Sequence, residues 1–95
     1  MDGYYKINSE NITYRIIDNE AVVLNLETGQ YYSLNETGTF IWKLLGKGIN
    51  RDDLINRIAE EFEIDKRSAA NDVKPLLKDL LSEKMIRQKK MQEVR

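Results

Sequence analysis

The most constraining feature of the sequence is the stretch 22–45, where two apolar runs are joined by a short turn and followed at once by a helix signal. The runs alternate apolar and polar side chains, which is the period of strands with one buried face. Gly29 closes the turn 27–29 and accepts the positive φ that tight hairpins need. Asn35 is a favourable N-cap because its side-chain oxygen accepts from free N–H groups of the first helical turn. The stretch therefore predicts a hairpin whose last strand leads directly into a helix.

Three antiparallel strands are predicted ahead of the helices, at 12–17, 20–26 and 30–34. Alternation along each strand assigns one set of side chains to the core and the other set to the opposite face. In the second strand, Val23 and Asn25 are assigned to the face away from the core. The side chains predicted to point inward are Ile12, Tyr14, Ile16, Val22, Leu24, Leu26, Tyr32 and Leu34.

Three helices are predicted to follow the strands, at about 36–45, at about 51–62 after an Asn50 cap, and from an Asp65 cap to about residue 83. Pro75 falls inside the third helix, where it removes a backbone hydrogen bond, so a kink or a break is expected just before it. The predicted fold class is α+β and winged-helix-like, with a three-stranded antiparallel sheet followed by a three-helix bundle.

Length and composition limit the classes of function. A chain of 95 residues is expected to form a single domain, here with an ordered core at about 12–87 between a loosely held lead-in and a flexible tail at 88–95. The net charge of -1 argues against a nucleic-acid partner, which normally meets a basic face. No apolar run approaches the roughly 18 to 20 residues that span a bilayer, and the N-terminus lacks a signal-peptide pattern, so a cytoplasmic protein is expected.

The sequence contains neither Cys nor His, which removes thiol nucleophiles, most transition-metal sites and the usual general base at neutral pH. The carboxylate pairs Asp52-Asp53 and Glu60-Glu61 are neighbours in predicted helices, where adjacent side chains diverge by about 100° and do not converge on one atom. We therefore expect a protein that is not an enzyme and that uses no metal or cofactor.

The third predicted strand lies at an edge of the sheet and presents unpaired N–H and C=O groups. A peptide can satisfy these groups by adding a strand, while side-chain pockets set specificity. The alternative interpretation is a short edge protected by its brevity. The candidate binding residues on this strand are Gln30, Tyr31, Tyr32, Ser33 and Leu34.

The third predicted helix supplies the other candidate binding residues. On a helical wheel, a shoulder of Ala70, Leu77 and Leu81 borders the core stripe, and Arg67, Lys74 and Lys78 lie just beyond it. Asp72, Asp79 and Glu83 fall on the opposite shoulder. The apolar and basic ledge is suited to an amphipathic peptide that carries carboxylates. The alternative is an ordinary solvated face.

An ordered set of residues is spread along the chain: Val22-Val23, Leu26, Thr28-Gly29, Tyr31-Tyr32, Leu34-Asn35, Thr37-Gly38, Ile41-Trp42, Leu54-Ile55, Phe62, Asp72-Val73, Leu76-Leu77 and Leu80-Leu81. With this set, the sequence resembles the PqqD family, the group of pyrroloquinoline-quinone biosynthesis protein D. The similarity extends over about 12–86.

The resemblance implies a peptide chaperone known as a RiPP recognition element. Such proteins bind the leader of a ribosomally synthesised precursor peptide as a strand added to the third strand, in the groove beside the third helix. They present the precursor to a modifying enzyme, often an iron-sulfur radical S-adenosylmethionine (SAM) protein. Pro75 is a departure from this pattern, because it falls in the helix that should form one wall of the groove and can change the path of that helix.

Two other functions remain open on the sequence. A winged-helix DNA-binding regulator would place Arg67, Lys74 and Lys78 against phosphates, although the net charge and the acidic shoulder oppose it. A structural interaction domain within a larger complex is the third reading. The exposed edge also permits pairing between two copies of the chain, as a homodimer.

Overall fold

The computed structural model of the protein describes residues 3–89. Three strands that follow one another in the chain form an antiparallel meander and are followed by three helices, which confirms the predicted α+β class. The buried apolar side chains of both layers form one cluster. In chain order the elements are β1 (Tyr4–Ile7), β2 (Ile12–Ile17), β3 (Glu20–Asn25), β4 (Tyr31–Leu34), α1 (Glu36–Leu45), α2 (Arg51–Phe62), α3 (Lys66–Ser82) and β5 (Ile86–Lys89).

The buried face of β3 is the opposite of the predicted one. Ala21 and Val23 are both 0% exposed, whereas Val22 is 43% exposed and Leu26, beyond the end of the strand, is 60% exposed. A two-residue period fixes which side chains share a face but does not say which face is covered. Here α1 packs on the side of β3 that carries the smaller side chains, so Leu24 is only half-buried.

Asn25 is buried although the sequence assigned it to the exposed face, and both its Oδ1 and its Nδ2 form hydrogen bonds that offset the burial of the amide. Its Oδ1 accepts from the backbone N–H groups of Glu27 (2.9 Å) and Thr28 (3.2 Å), which shapes the turn before β4. Its Nδ2 donates to the carbonyl oxygen of Glu83 at 3.3 Å, just after α3. One side chain therefore ties the β3–β4 turn to the end of α3.

The two ends of the described chain pair with each other. The lead-in that was expected to be loosely held contains β1, and β1 pairs antiparallel with β5 from Tyr4↔Lys89 to Ile7↔Ile86. Gln88 and Lys89, predicted to be part of a flexible tail, belong to β5, and the rest of the predicted tail lies outside the described residues. The prediction failed because a strand whose partner lies some eighty residues away leaves no local signal.

The helix caps are as predicted, and α3 is continuous from Lys66 to Ser82 with Pro75 inside it. Asn35, Asn50 and Asp65 each accept from a backbone N–H of their own first turn. The expected break at Pro75 is absent. Pro75 is exposed while Val73 and Leu77 are buried, so packing on one side retains the helix and water can reach the carbonyl that loses its partner.

The Thr39 hydroxyl of α1 is inserted into the ladder between β3 and β4. In an antiparallel ladder every second residue pair is hydrogen-bonded. The bond from the Asn25 N–H to the Gln30 carbonyl (2.8 Å) identifies one such pair, so Ala21 and Leu34, four residue pairs further along the ladder, should form another. The Ala21 N–H instead donates to Thr39 Oγ1 at 2.8 Å, and that hydroxyl donates to the Leu34 carbonyl at 3.3 Å. Thr39 is buried, so these bonds are shielded from water.

Thr39→Val should lower the free energy of unfolding by about 1–3 kcal/mol, because the valine methyl leaves a buried N–H and a buried C=O without partners. Thr37→Val in the same helix is the matched control, since Thr37 is only half-buried and should change stability by less than about 0.5 kcal/mol. Urea unfolding followed by circular dichroism measures both. Equal stability of the Thr39→Val variant and the wild type would contradict the bridging role.

Candidate functional site

A groove of about 470 Å³ lies between the free edge of β4 and α3. The first turn of α1 forms its floor and approaches closely, since a Cβ on Gly38 would lie 3.3 Å from the Leu34 Cβ. The groove is lined by Tyr32, Ser33, Leu34, Asn35, Thr37, Gly38, Ile41, Asp72, Pro75, Leu76 and Asp79. It mixes an apolar centre with carboxylates contributed by α3.

The edge of β4 beside this groove has no strand partner among residues 3–89, where β4 pairs with β3 alone. Every second pair of the ladder is hydrogen-bonded, starting from Asn25 and Gln30, so the N–H and C=O groups of Tyr32 and Leu34 point toward β3. The N–H and C=O groups of Tyr31 and Ser33 therefore point away from the sheet at its free edge. A peptide in extended conformation can pair with both residues without disturbing the meander.

Tyr32 and Asp79 connect the two walls of the groove. The Tyr32 hydroxyl donates to Asp79 Oδ2 at 3.2 Å. Burial raises the pKa of the Tyr32 phenol, and the hydrogen bond to Asp79 and the negative charges of Asp79 and Glu83 raise it further. The phenol is therefore neutral at physiological pH and acts as a hydrogen-bond donor.

The structure brings the predicted β4 residues to the site. Tyr32, Ser33 and Leu34 line the groove, while Gln30 and Tyr31 line a shallower depression that continues it past Tyr32 toward Glu83. Tyr31 is 70% exposed on the outer face of the sheet. Contact between these residues and a leader remains a prediction.

The six residues predicted on the third helix do not line the groove. Leu77 is buried in the core, Ala70 and Leu81 are half-buried, and the three basic residues are exposed on the far side of α3: Arg67, Lys74 and Lys78. The groove wall is formed instead by the opposite shoulder, through Asp72, Pro75, Leu76 and Asp79. The wheel separated an acidic from a basic side of α3, but it placed Leu77 on a shoulder although it is buried, and it could not show which side meets β4. A role for the six residues in leader binding stays an untested prediction.

Other chemistry-bearing features are few in the part of the chain that is described. Across residues 3–89, no group of three or more His, Cys, Asp or Glu side chains is arranged to hold a metal ion. No helix in this range is long and apolar enough to cross a membrane. The groove beside β4 is therefore the feature on which the functional argument depends.

The fold and the groove define a small α+β domain that offers an unpaired strand edge beside a helix. The chain belongs to the PqqD family, because the family model described as coenzyme PQQ synthesis protein D (PqqD) matches residues 20–86. This span contains β3, β4 and all three helices, and so the whole groove. No curated protein sequence matches the chain.

Two solved structures are similar to this chain. One is described as TbiB1 in complex with the TbiA(beta) leader peptide, with a TM-score of 0.78 and 27% identity over 93% of this chain and 99% of that chain. The other is described as lasso peptide synthetase B1 complexed with the leader peptide, with a TM-score of 0.76 and 24% identity over 87% of this chain and 96% of that chain. The second likeness supports the fold alone.

Amide hydrogen exchange of the free protein should alternate along β4. The Tyr32 N–H should exchange slowly because it donates within the ladder, and the N–H groups of Tyr31 and Ser33 should exchange at least about tenfold faster because they face solvent. Exchange followed by NMR at pH 6–7 measures each residue separately. Slow exchange at Tyr31 and Ser33 in the monomer would show that this edge is already covered.

Asp79→Asn should lower the pKa of Tyr32 toward its ordinary value by removing a negative charge beside the phenol. A raised folded-state pKa contributes stability that is fully present below the ordinary pKa of about 10 and is lost as pH rises through the folded pKa. The wild type should therefore lose more stability than the variant in that alkaline window. Glu60→Gln on α2 is the control and should leave the Tyr32 titration, followed by NMR, unchanged.

Proposed function

We propose that this protein is a non-enzymatic recognition module that binds the leader of a ribosomally synthesised precursor peptide as a strand added to β4. The observation that carries the proposal is the unpaired edge of Tyr31 and Ser33 beside a groove that accepts side chains. Membership of the PqqD family supports it, as does the similarity to TbiB1, whose structure is described with a leader peptide. These findings favour a peptide over DNA as the partner.

Strand addition gives the interaction a main-chain component and a side-chain component. The leader would hydrogen-bond to the N–H and C=O groups of Tyr31 and Ser33, which supplies affinity with little dependence on sequence. Its alternate side chains would enter the groove between β4 and α3, where Leu34, Ile41 and Leu76 offer apolar contact. Specificity would come from these groove-facing positions.

The bound leader would be presented to a modifying enzyme, and the family resemblance points to an iron-sulfur radical SAM protein. The outer face of the meander supports such a contact, since Ile17, Val22 and Tyr31 are exposed there at 57%, 43% and 70%. A leader added to β4 would extend this same face of the sheet, so an enzyme docked on it would contact the leader as well.

A homodimer formed through β4 would compete with the leader, because both use the same backbone groups. It would also bring the Asp79 side chains of two copies to one interface, and like charges disfavour that arrangement. The protein is therefore expected to bind its leader as a monomer through this edge.

Ser33→Pro tests the proposal, because it removes an outward-pointing N–H while the ladder to β3 remains. Wild-type and variant proteins, tagged and used as baits in lysate of the source cells, are compared for bound short peptides by mass spectrometry. The wild type should retain a gene-encoded precursor peptide. The variant should retain it about 5- to 150-fold less, as expected when a leader carbonyl loses a partner worth about 1–3 kcal/mol.

Ser33→Thr is the matched control, since it changes the outward side chain and keeps the N–H. Circular dichroism and thermal unfolding of all three proteins show whether a variant that retains less peptide is still folded. Equal retention by wild type and Ser33→Pro would show that the peptide does not bind through β4. Capture of nucleic acid without peptide would contradict the proposal and favour a DNA-binding protein. Identification of the enzyme captured with the peptide tests the radical SAM assignment.

A further inference from the structure

The ionisable side chains that α3 presents along the groove are all acidic. Asp72 and Asp79 line the groove itself, and Glu83 lines its continuation beside Gln30 and Tyr31. No Lys or Arg is among the residues that line either part. The basic residues of α3 face the other way, so the electrostatic potential in the groove is negative. The sequence had predicted a basic wall and therefore a positive potential.

These carboxylates have no cationic partner within the described chain. The salt bridge found in residues 3–89 joins Arg87 to Glu10, at a different part of the surface. Asp79 accepts from the neutral Tyr32 hydroxyl, which orients the carboxylate and leaves lone pairs free for a second donor. A positively charged side chain in the groove would therefore gain a charge-assisted hydrogen bond without displacing a cationic partner contributed by residues 3–89.

The spacing of the carboxylates matches an extended peptide. Glu83 lies beside Tyr31 and Asp79 beside Tyr32, so α3 runs antiparallel to β4 along the groove. Residues four apart rise about 6 Å along a helix, and side chains on one face of a strand repeat about every 6.6 Å. Two consecutive groove-facing side chains of an added strand would thus meet Glu83 and Asp79 in turn.

The middle of the groove is apolar and narrows the choice of peptide further. Pro75 and Leu76 of α3 face Leu34 of β4 and Ile41 of α1, between the carboxylates of Asp72 and Asp79. A side chain that enters between these four residues gains apolar contact, while Asn35 and Thr37 also line the groove and add polar groups beside them. The peptide should therefore combine basic with apolar side chains on a single face.

We propose that the leader bound by β4 carries Lys or Arg at groove-facing positions, paired with Asp72, Asp79 or Glu83, and an apolar side chain at a neighbouring groove-facing position. This inference rests on the proposed function and specifies the chemistry of its ligand. It assigns Asp72 and Asp79 as residues that select the leader by charge. It also reverses the expectation that the peptide carries carboxylates toward a basic ledge.

The test uses a phage-displayed library of random 12-residue peptides selected on the immobilised wild-type protein. Selected peptides should show a ratio of Lys and Arg to Asp and Glu at least about twofold above the unselected library. A synthetic peptide of the most enriched sequence is then measured by fluorescence anisotropy. Asp79→Asn, which keeps an acceptor for Tyr32, should weaken its binding about two- to fivefold, and Asp72→Lys by about fivefold or more.

Glu60→Lys on α2 is the matched control, because it changes the net charge by the same amount as Asp72→Lys at an exposed position away from the groove. It should change binding of that peptide by less than about twofold. Lys78→Glu, on the far side of α3, tests the competing prediction of a basic ledge: a loss of binding about as large as that of Asp72→Lys would contradict charge selection by the groove. Thermal unfolding of each variant verifies that the fold is retained.

The outcomes separate this inference from the function on which it rests. Binders that are lost in Ser33→Pro but show no enrichment in basic residues, or an enrichment in acidic ones, would overturn the charge selection and leave strand addition intact. A selection in which no binder is sensitive to Ser33→Pro would overturn the proposed function and this inference with it. Basic binders that respond to Asp72→Lys and Asp79→Asn, but not to Glu60→Lys, would establish it.

Discussion

The groove depends first on the Thr39 hydroxyl, which joins three elements at one buried point. It accepts from Ala21 of β3 and donates to Leu34 of β4 while it belongs to α1. A strand of four residues has few ladder bonds of its own, so this bridge anchors the end of β4 that leads into the helix. Because α1 starts two residues after β4, the same contact positions the floor of the groove beneath its edge.

The distance between β4 and α3 is set by two side chains at the other end of the site. Asn25 shapes the turn before β4 and also binds the carbonyl of Glu83, and Tyr32 reaches across to Asp79. Asn8, in the segment that follows β1, donates from its Nδ2 to the carbonyl of Lys84, just after α3. The β1–β5 ribbon thus supports the end of α3, although β1 and the part of β5 after Ile86 lie outside the region that matches the family.

An unpaired strand edge is a liability in most proteins because it invites aggregation. Here the edge is short, and carboxylates on α3 lie along it, so two copies of the same surface repel each other. The same charges would attract a peptide of opposite sign. Protection of the free protein and selection of a ligand can therefore come from one set of residues.

Local signals were sufficient for most of the elements. Gly29 has a φ of 79°, the caps Asn35, Asn50 and Asp65 act as predicted, and the ends of α1 and α2 fall where the pattern put them. These features are decided within a few residues by backbone sterics and by the free N–H groups of a first helical turn. The ordered motif also identified the family, and the strand predicted at the edge of the sheet, β4, pairs with β3 alone among residues 3–89.

Features that need two distant segments to meet were decided only by the tertiary structure. Alternation gave two faces for β3 and two shoulders for α3, but the choice between them came from α1 covering Ala21 and Val23 and from β4 meeting Asp72 and Asp79. The β1–β5 pair had no local signal at all. The sequence by itself determined six of the eight elements, their order and the family, because short-range sterics and hydrogen bonding encode them. Packing alone decided which shoulder of α3 faces the free edge of β4, and so the sign of the charge along the groove, because a periodic pattern is symmetric until another element covers one side.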